Sequence, residues 1–94
     1  MKNVDVSVVL NMHREGPYLR ATLVSLDACA IAAREAGLCC ELVAVFDRAD
    51  DATRTVFHST PLHGFCAVKT LEIDVGSLGL ARNAGVQEAE GEFI

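Results

Sequence analysis

The chain has 94 residues, and at about 100 to 200 residues per domain it makes one small domain. Hydrophobic residues are 51% of it, charged residues 22%, and mean hydropathy is +0.30, so there is enough apolar surface to offset chain ordering and intrinsic disorder is not expected. Eight Lys and Arg against 13 Asp and Glu give a net charge of -5, the wrong sign for holding a nucleic-acid backbone.

Residues 4–10 (VDVSVVL) are short and β-branched, as expected of a strand buried on both faces. The polar segment 11–16 (NMHREG) predicts a turn, and Pro17 suits the first position of a helix, where a missing N–H costs nothing. Leu19, Leu23, Leu26, Ala30 and Ala33 then recur at helical spacing, while Arg20, Asp27, Arg34 and Glu35 fall elsewhere, which predicts a long amphipathic helix stopped by Gly37. Residues 41–47 (ELVAVFD) read as a second apolar strand ending in an aspartate. Asp50, Asp51 and Thr53 crowd the start of a shorter helix reaching about His58, where carboxylates meet unpaired N–H groups. Residues 65–73 (FCAVKTLEI) predict a third strand, 78–90 a third helix rich in Ala and Gly, and 92–94 the opening of a fourth strand.

The longest apolar run is the six residues 28–33, far below the roughly 18 needed to span a bilayer. Asp5 interrupts the start of the chain before an apolar signal-peptide core can form. Cys29, Cys39, Cys40 and Cys66 lie inside apolar stretches and read as reduced core thiols of a cytoplasmic protein. Adjacent Cys39 and Cys40 would point to opposite faces of a strand, and His58 and His63 flank Pro61, so no zinc-type ligand spacing exists and no metal site is expected from these residues.

Three alternations of strand and helix predict an open, mainly parallel α/β sheet with flanking helices, Rossmann-like in outline. In such sheets ligands gather beyond the carboxyl ends of the strands, which makes 11–16, 47–51 and 74–83 the candidate site segments. Asp47 could accept a hydrogen bond from a ribose hydroxyl or a base N–H, and Arg82 beside the helix start near Gly79 could meet a diphosphate. Plainer roles stand beside these. Asp47 equally suits a strand end or turn cap, Asp50 and Asp51 suit helix caps, Arg82 a solvated helix face, and Asn83 a bond to nearby backbone. Gly76, Gly79 and Gly85 follow the third strand at G-x2-G-x5-G spacing, without the tight G-x-G of a dinucleotide fingerprint. There is no G-K-[ST] phosphate loop, no G-x-S-x-G elbow, and no cysteine with a sequence-evident histidine partner.

Three blocks in order resemble the family 2 glycosyltransferases. Residues 6–19, from VSVVL through NMHRE to Tyr18-Leu19, are similar to the family's V-S-V-[VI]-[IL]-P-T-Y-N-R opening with Y-L shortly after. Residues 41–53 (ELVAVFDRADDAT) are similar to E-[IL]-[IV]-V-V-D-D-G-S-T-D-G-T. Residues 79–94 (GLARNAGVQEAEGEFI) resemble G-x-[AS]-x-A-R-N-x-G-[ILV]-x-x-A-x-G-[ED]-[YF]-[IL]. The resemblance implies the amino-terminal, nucleotide-binding portion of a GT-A fold spanning residues 1–94, in a parent protein that moves a sugar from a UDP- or GDP-sugar to an acceptor hydroxyl, with inversion.

The nucleotide-binding set it implies is Asn11, His13, Glu15, Asp47, Arg82 and Asn83, with Asn11 and His13 beside the base. Asp51 matches the later aspartate of its block and suits a helix cap. His13-Arg14 stands where the family has Tyr-Asn, Phe46 where it has its first aspartate, and Arg48-Ala49 where it has Gly-Ser. The Mg2+ or Mn2+ that the resemblance implies for the full enzyme is held by D-x-D carboxylates following the last matched block, beyond Ile94, so this chain alone is expected to bind nucleotide at most and to be catalytically inert. The alternative expectation is a non-catalytic α/β module that self-associates through an exposed strand edge and uncovered helix faces.

Overall fold

The computed structural model describes residues 3–94. Strand and helix alternate along it as β1 (Val6–Met12), a single 3₁₀ turn (Gly16–Tyr18), α1 (Leu19–Glu35), β2 (Cys40–Asp47), α2 (Asp51–Ser59), β3 (Ala67–Ile73) and α3 (Leu78–Glu88). The strands form one parallel sheet in the order β1-β2-β3, with Val8 opposite Leu42 and Leu42 opposite Val68. After α3 the chain crosses to the outer edge of β1, where Val6 and Phe93 form an isolated parallel bridge. β1 therefore has β2 on one side and the start of a further strand-like segment on the other. The architecture is α/β, a parallel sheet with helices on both faces.

Side-chain alternation divides the core in two. Leu42, Ala44 and Phe46 of β2 pack with Met12 of β1, Leu19 and Leu23 of α1 and Phe57 of α2. Val43 and Val45 face the other way, onto Ala81 of α3 with Val9 and Leu71 alongside. Being covered on both faces, β2 is buried at every residue, which is why 41–46 reads as an almost unbroken apolar run. The Phe46 and Phe57 rings meet edge to face at 5.3 Å, and the Arg54 guanidinium lies 5.0 Å from the Phe46 ring centroid.

Several expectations are corrected. β1 runs through Asn11 and Met12, because Asn11 pairs with Val45 and Met12 with Phe46 instead of opening a turn. The helix after Pro17 begins as a 3₁₀ turn and becomes α-helical at Leu19. Asp27 is not on the solvated face of α1. It is buried, and its Oδ1 accepts the N–H groups of His63 (2.8 Å) and Gly64 (2.7 Å), tying the loop before β3 to the helix. Asp50, not Asp51, caps α2, taking the Thr53 N–H at 3.0 Å.

The thiols are corrected as well: Cys39 and Cys66 form a disulfide, with Cα atoms 5.8 Å apart, while Cys29 and Cys40 are free. Both bonded residues precede neighbouring parallel strands, and the Cys66 N–H donates to the Cys40 carbonyl at 2.8 Å, so pairing of the strands itself brings them together. Cys40 points away, and burial, with Asp5 nearby, pushes its thiol above the usual range. A structural disulfide is at odds with the reducing compartment that the thiols suggested. No helix among the described residues is long and apolar enough to cross a membrane.

Candidate functional site

The chain leaves β1 toward β2 on one side and, after α3, returns along the opposite edge of β1. Beyond the carboxyl ends of β1 and β2 this divergence opens a crevice, the place where open α/β sheets bind ligands. A cavity of about 230 Å³ occupies it. Asn11, His13 and Glu15 line it from the end of β1, Asp47 from the end of β2, and Gly76, Ser77 and Leu78 from the start of α3. Leu78 and the buried Ala81 add apolar surface, while Met12, also along the lining, packs its side chain into the core half on the other face of the sheet. The volume lies below the roughly 300–1,000 Å³ of sites that enclose a whole drug-sized ligand, so it suits part of one.

Asp47 organises the wall. Its Oδ1 accepts the N–H groups of Val75 (3.0 Å) and Gly76 (3.2 Å), which brings the β3–α3 loop across the end of the sheet. Burial pushes its carboxyl up, but those two hydrogen bonds and the charge of Arg48 outweigh it and hold the group below the usual carboxylate range. Asp47 is thus ionised at neutral pH, with Oδ2 not engaged by any described protein donor.

His13 is held from three directions. Its N–H donates to Glu15 Oε1 (2.7 Å), its carbonyl accepts the Asp50 N–H (3.0 Å), and its ring Nδ1 lies 2.8 Å from the Asp47 carbonyl oxygen. A carbonyl only accepts, so Nδ1 carries the hydrogen and Nε2 is the ring nitrogen left for a ligand. Gly16, at φ +54°, closes the turn by donating its N–H to Thr53 Oγ1 at 2.9 Å. The Asn11 Oδ1 is buried and unpartnered, an orphaned polar atom in a cavity-lining residue.

Arg48, immediately after Asp47, is the one non-glycine residue among those described with positive φ, at +52°. This left-handed backbone is unfavourable for a residue with a Cβ. Its Nε donates to Asp74 on the surface, and a Cβ built on Gly76 would come within 2.6 Å of Nη1, so the guanidinium rests directly against the cavity wall. Gly76 is itself at φ +62°, a conformation that favours glycine. An ion pair this exposed adds little stability.

Of the residues singled out in the sequence, Asn11, His13, Glu15 and Asp47 come together here. Arg82 and Asn83 do not: both are exposed on α3, outside the cavity lining, because Ala81 and Gly85 are the positions α3 turns to the sheet. Met12, Leu78 and Ala81 belong to the lining without having been singled out; their apolar side chains carry no chemical signal in the sequence. No group of three His, Cys, Asp or Glu side chains among the described residues could hold a metal ion, and Asp47 and Asp50 each commit an oxygen to backbone N–H groups.

Comparison of the chain with family models, curated proteins and solved structures gave no match. The chemistry of the crevice therefore stands on its geometry. An ionised carboxylate, a histidine ring nitrogen and a second carboxylate on an apolar floor suit a ligand portion carrying O–H and N–H donors on a flat or apolar body.

Proposed function

We propose that this chain is the nucleotide-binding portion of a nucleotide-sugar-dependent glycosyltransferase of the family 2, GT-A type. The nucleoside of a UDP- or GDP-sugar occupies the crevice, and the parent protein transfers the sugar to an acceptor hydroxyl. The observation that carries the reading is Asp47: an ionised aspartate at the carboxyl end of the central strand, bridging to the loop before α3 and lining a cavity with Asn11 and His13. The motif blocks in the sequence add to it. Within this chain the residues bind and orient. Asp47 accepts donors of the ribose or base, His13 offers Nε2, and Leu78 with Ala81 supplies apolar surface for a planar ring. The test is an NMR titration with uridine, guanosine, UDP and GDP, in which the amides of Asn11, Asp47 and Ser77 shift together. Silence at all three with every ligand would sink the reading.

A second reading is favoured by one surface feature. Phe93 and Ile94 are each more than half exposed and lie beside the outer edge of β1. On this reading the chain is an α/β module that self-associates through that surface. Size-exclusion chromatography over a hundredfold concentration range separates the two: a monomer throughout excludes the module.

A further inference from the structure

We propose that Arg48 is the phosphate-recognition residue at the mouth of the crevice, taking the diphosphate of a nucleotide whose nucleoside lies beside Asp47. The inference deepens the nucleotide-binding reading and rests on it. Arg48 holds a backbone conformation that glycine would adopt freely, yet the one hydrogen-bond partner of its side chain among the described residues is an exposed carboxylate, reached through Nε. Stability does not account for it. The contact with Asp74 does account for orientation, because anchoring Nε turns the guanidinium so that, among the described residues, the Nη1 and Nη2 hydrogens have no protein acceptor. That free pair is the edge that binds phosphate oxygens bidentately. It sits against Gly76, a wall residue of the cavity, where a phosphate leaving the nucleoside pocket would emerge. Among the described residues, the side chains lining the cavity include no Lys or Arg. Its charged side chains are Glu15 and Asp47, both repulsive to phosphate, and Arg82 lies outside its lining.

The experiment compares wild type, Arg48→Gly, Arg48→Lys and Arg82→Ala by calorimetric titration with guanosine, uridine, GDP, UDP and inorganic pyrophosphate, alongside thermal melts. Arg48→Gly is expected to weaken the diphosphate ligands and pyrophosphate at least about tenfold, to leave nucleoside binding unchanged, and to melt no lower than wild type. Arg48→Lys keeps the charge without the fork and recovers only part of the loss. Unchanged diphosphate affinity in Arg48→Gly, an equal loss for nucleosides, or a loss confined to Arg82→Ala overturns the proposal. Nucleoside binding with no gain from the diphosphate overturns Arg48 alone. Arg48-dependent pyrophosphate binding without nucleoside binding overturns the nucleotide reading alone.

Discussion

The fully buried Glu41 carboxylate faces the Lys69 ammonium across 3.2 Å, at the end of the sheet opposite the crevice. Glu41 Oε1 accepts the Ser7 hydroxyl (3.0 Å) and the Glu90 N–H (2.9 Å), while Oε2, among the described residues, meets only the ammonium, in ion-pair range without hydrogen-bond geometry. Ser7 Oγ in turn accepts the Gly91 N–H at 2.7 Å. This network holds the segment after α3 against β1, and so maintains the divergence that opens the crevice.

Acid stability follows from it. Burial raises the Glu41 carboxyl, but the hydrogen bonds from Glu90 and Ser7 and the Lys69 ammonium together outweigh burial and leave it below its ordinary value. A group depressed in the folded state stabilises above its unfolded pKa of about 4.3, and that contribution is lost as pH falls through the lower folded value. Glu41→Gln is expected to lower stability by about 2 kcal/mol at pH 7 and to flatten the acid limb of the stability profile. Urea denaturation from pH 7 to pH 3 measures both, and an unchanged acid slope would contradict the assignment.

Glycine substitutions are expected to divide sharply. A Cβ on Gly85 would come within 2.5 Å of Val9 Cγ1 and 2.9 Å of Val45 Cγ2, where α3 lies close on the sheet, while one on Gly79 meets nothing nearer than Ser77 Oγ at 4.0 Å. Gly85→Ala should cost about 1–3 kcal/mol by overpacking. Gly79→Ala should stabilise by up to about 1 kcal/mol through helix propensity. Melting curves of the two variants decide it, and equal effects would mean that α3 packs differently.

The disulfide gives a third expectation. Cys39 and Cys66 are separated by 27 positions, so breaking the bond should destabilise the chain by about 3 kcal/mol, whether by a dithiol reductant or by a Cys39→Ala, Cys66→Ala double substitution. Alkylation of the unreduced, denatured protein followed by mass spectrometry should label Cys29 and Cys40 only. Four labelled cysteines would restore the reduced-thiol expectation.

The same residues show how far the sequence could be read. The three strands and three helices were legible because period and length agree: 41–47 is short, apolar and ends in Asp47, and 19–35 carries a helical stripe closed by Gly37 at φ +88°. Asp27 keeps the 23, 27, 30 spacing of the buried face, yet an aspartate there reads as solvated until the loop that brings the His63 and Gly64 N–H groups to it is known. Gly76, Gly79 and Gly85 look alike as letters, yet one needs positive φ, one needs close packing and one needs neither. Arg82 and Asn83 were attractive as chemistry, but which face α3 turns inward is decided by Ala81 and Gly85, residues too small to stand out. The disulfide was hidden because pairing depends on the register of β2 with β3, and register is not written in spacing.

Asp47 gives the last expectation. An amide at this position can still accept the Val75 and Gly76 N–H groups through its carbonyl, so Asp47→Asn should keep the loop before α3 in place and leave the far-ultraviolet circular dichroism unchanged. What it removes is the charge, and with it the charge-assisted bonds to a bound nucleoside, which should weaken binding about tenfold. Because the folded carboxyl is held below its ordinary value of about 3.9, wild-type affinity should be flat from pH 8 to pH 5 on account of this group, and fall only as acid protonates it. The Asn variant has no carboxyl to titrate, so the acid-side fall in its affinity should be smaller. Fluorescence or NMR titrations with guanosine and uridine across that range measure both effects. Equal affinities for the two proteins would assign Asp47 to loop closure alone and move ligand recognition to Asn11, His13 and Glu15.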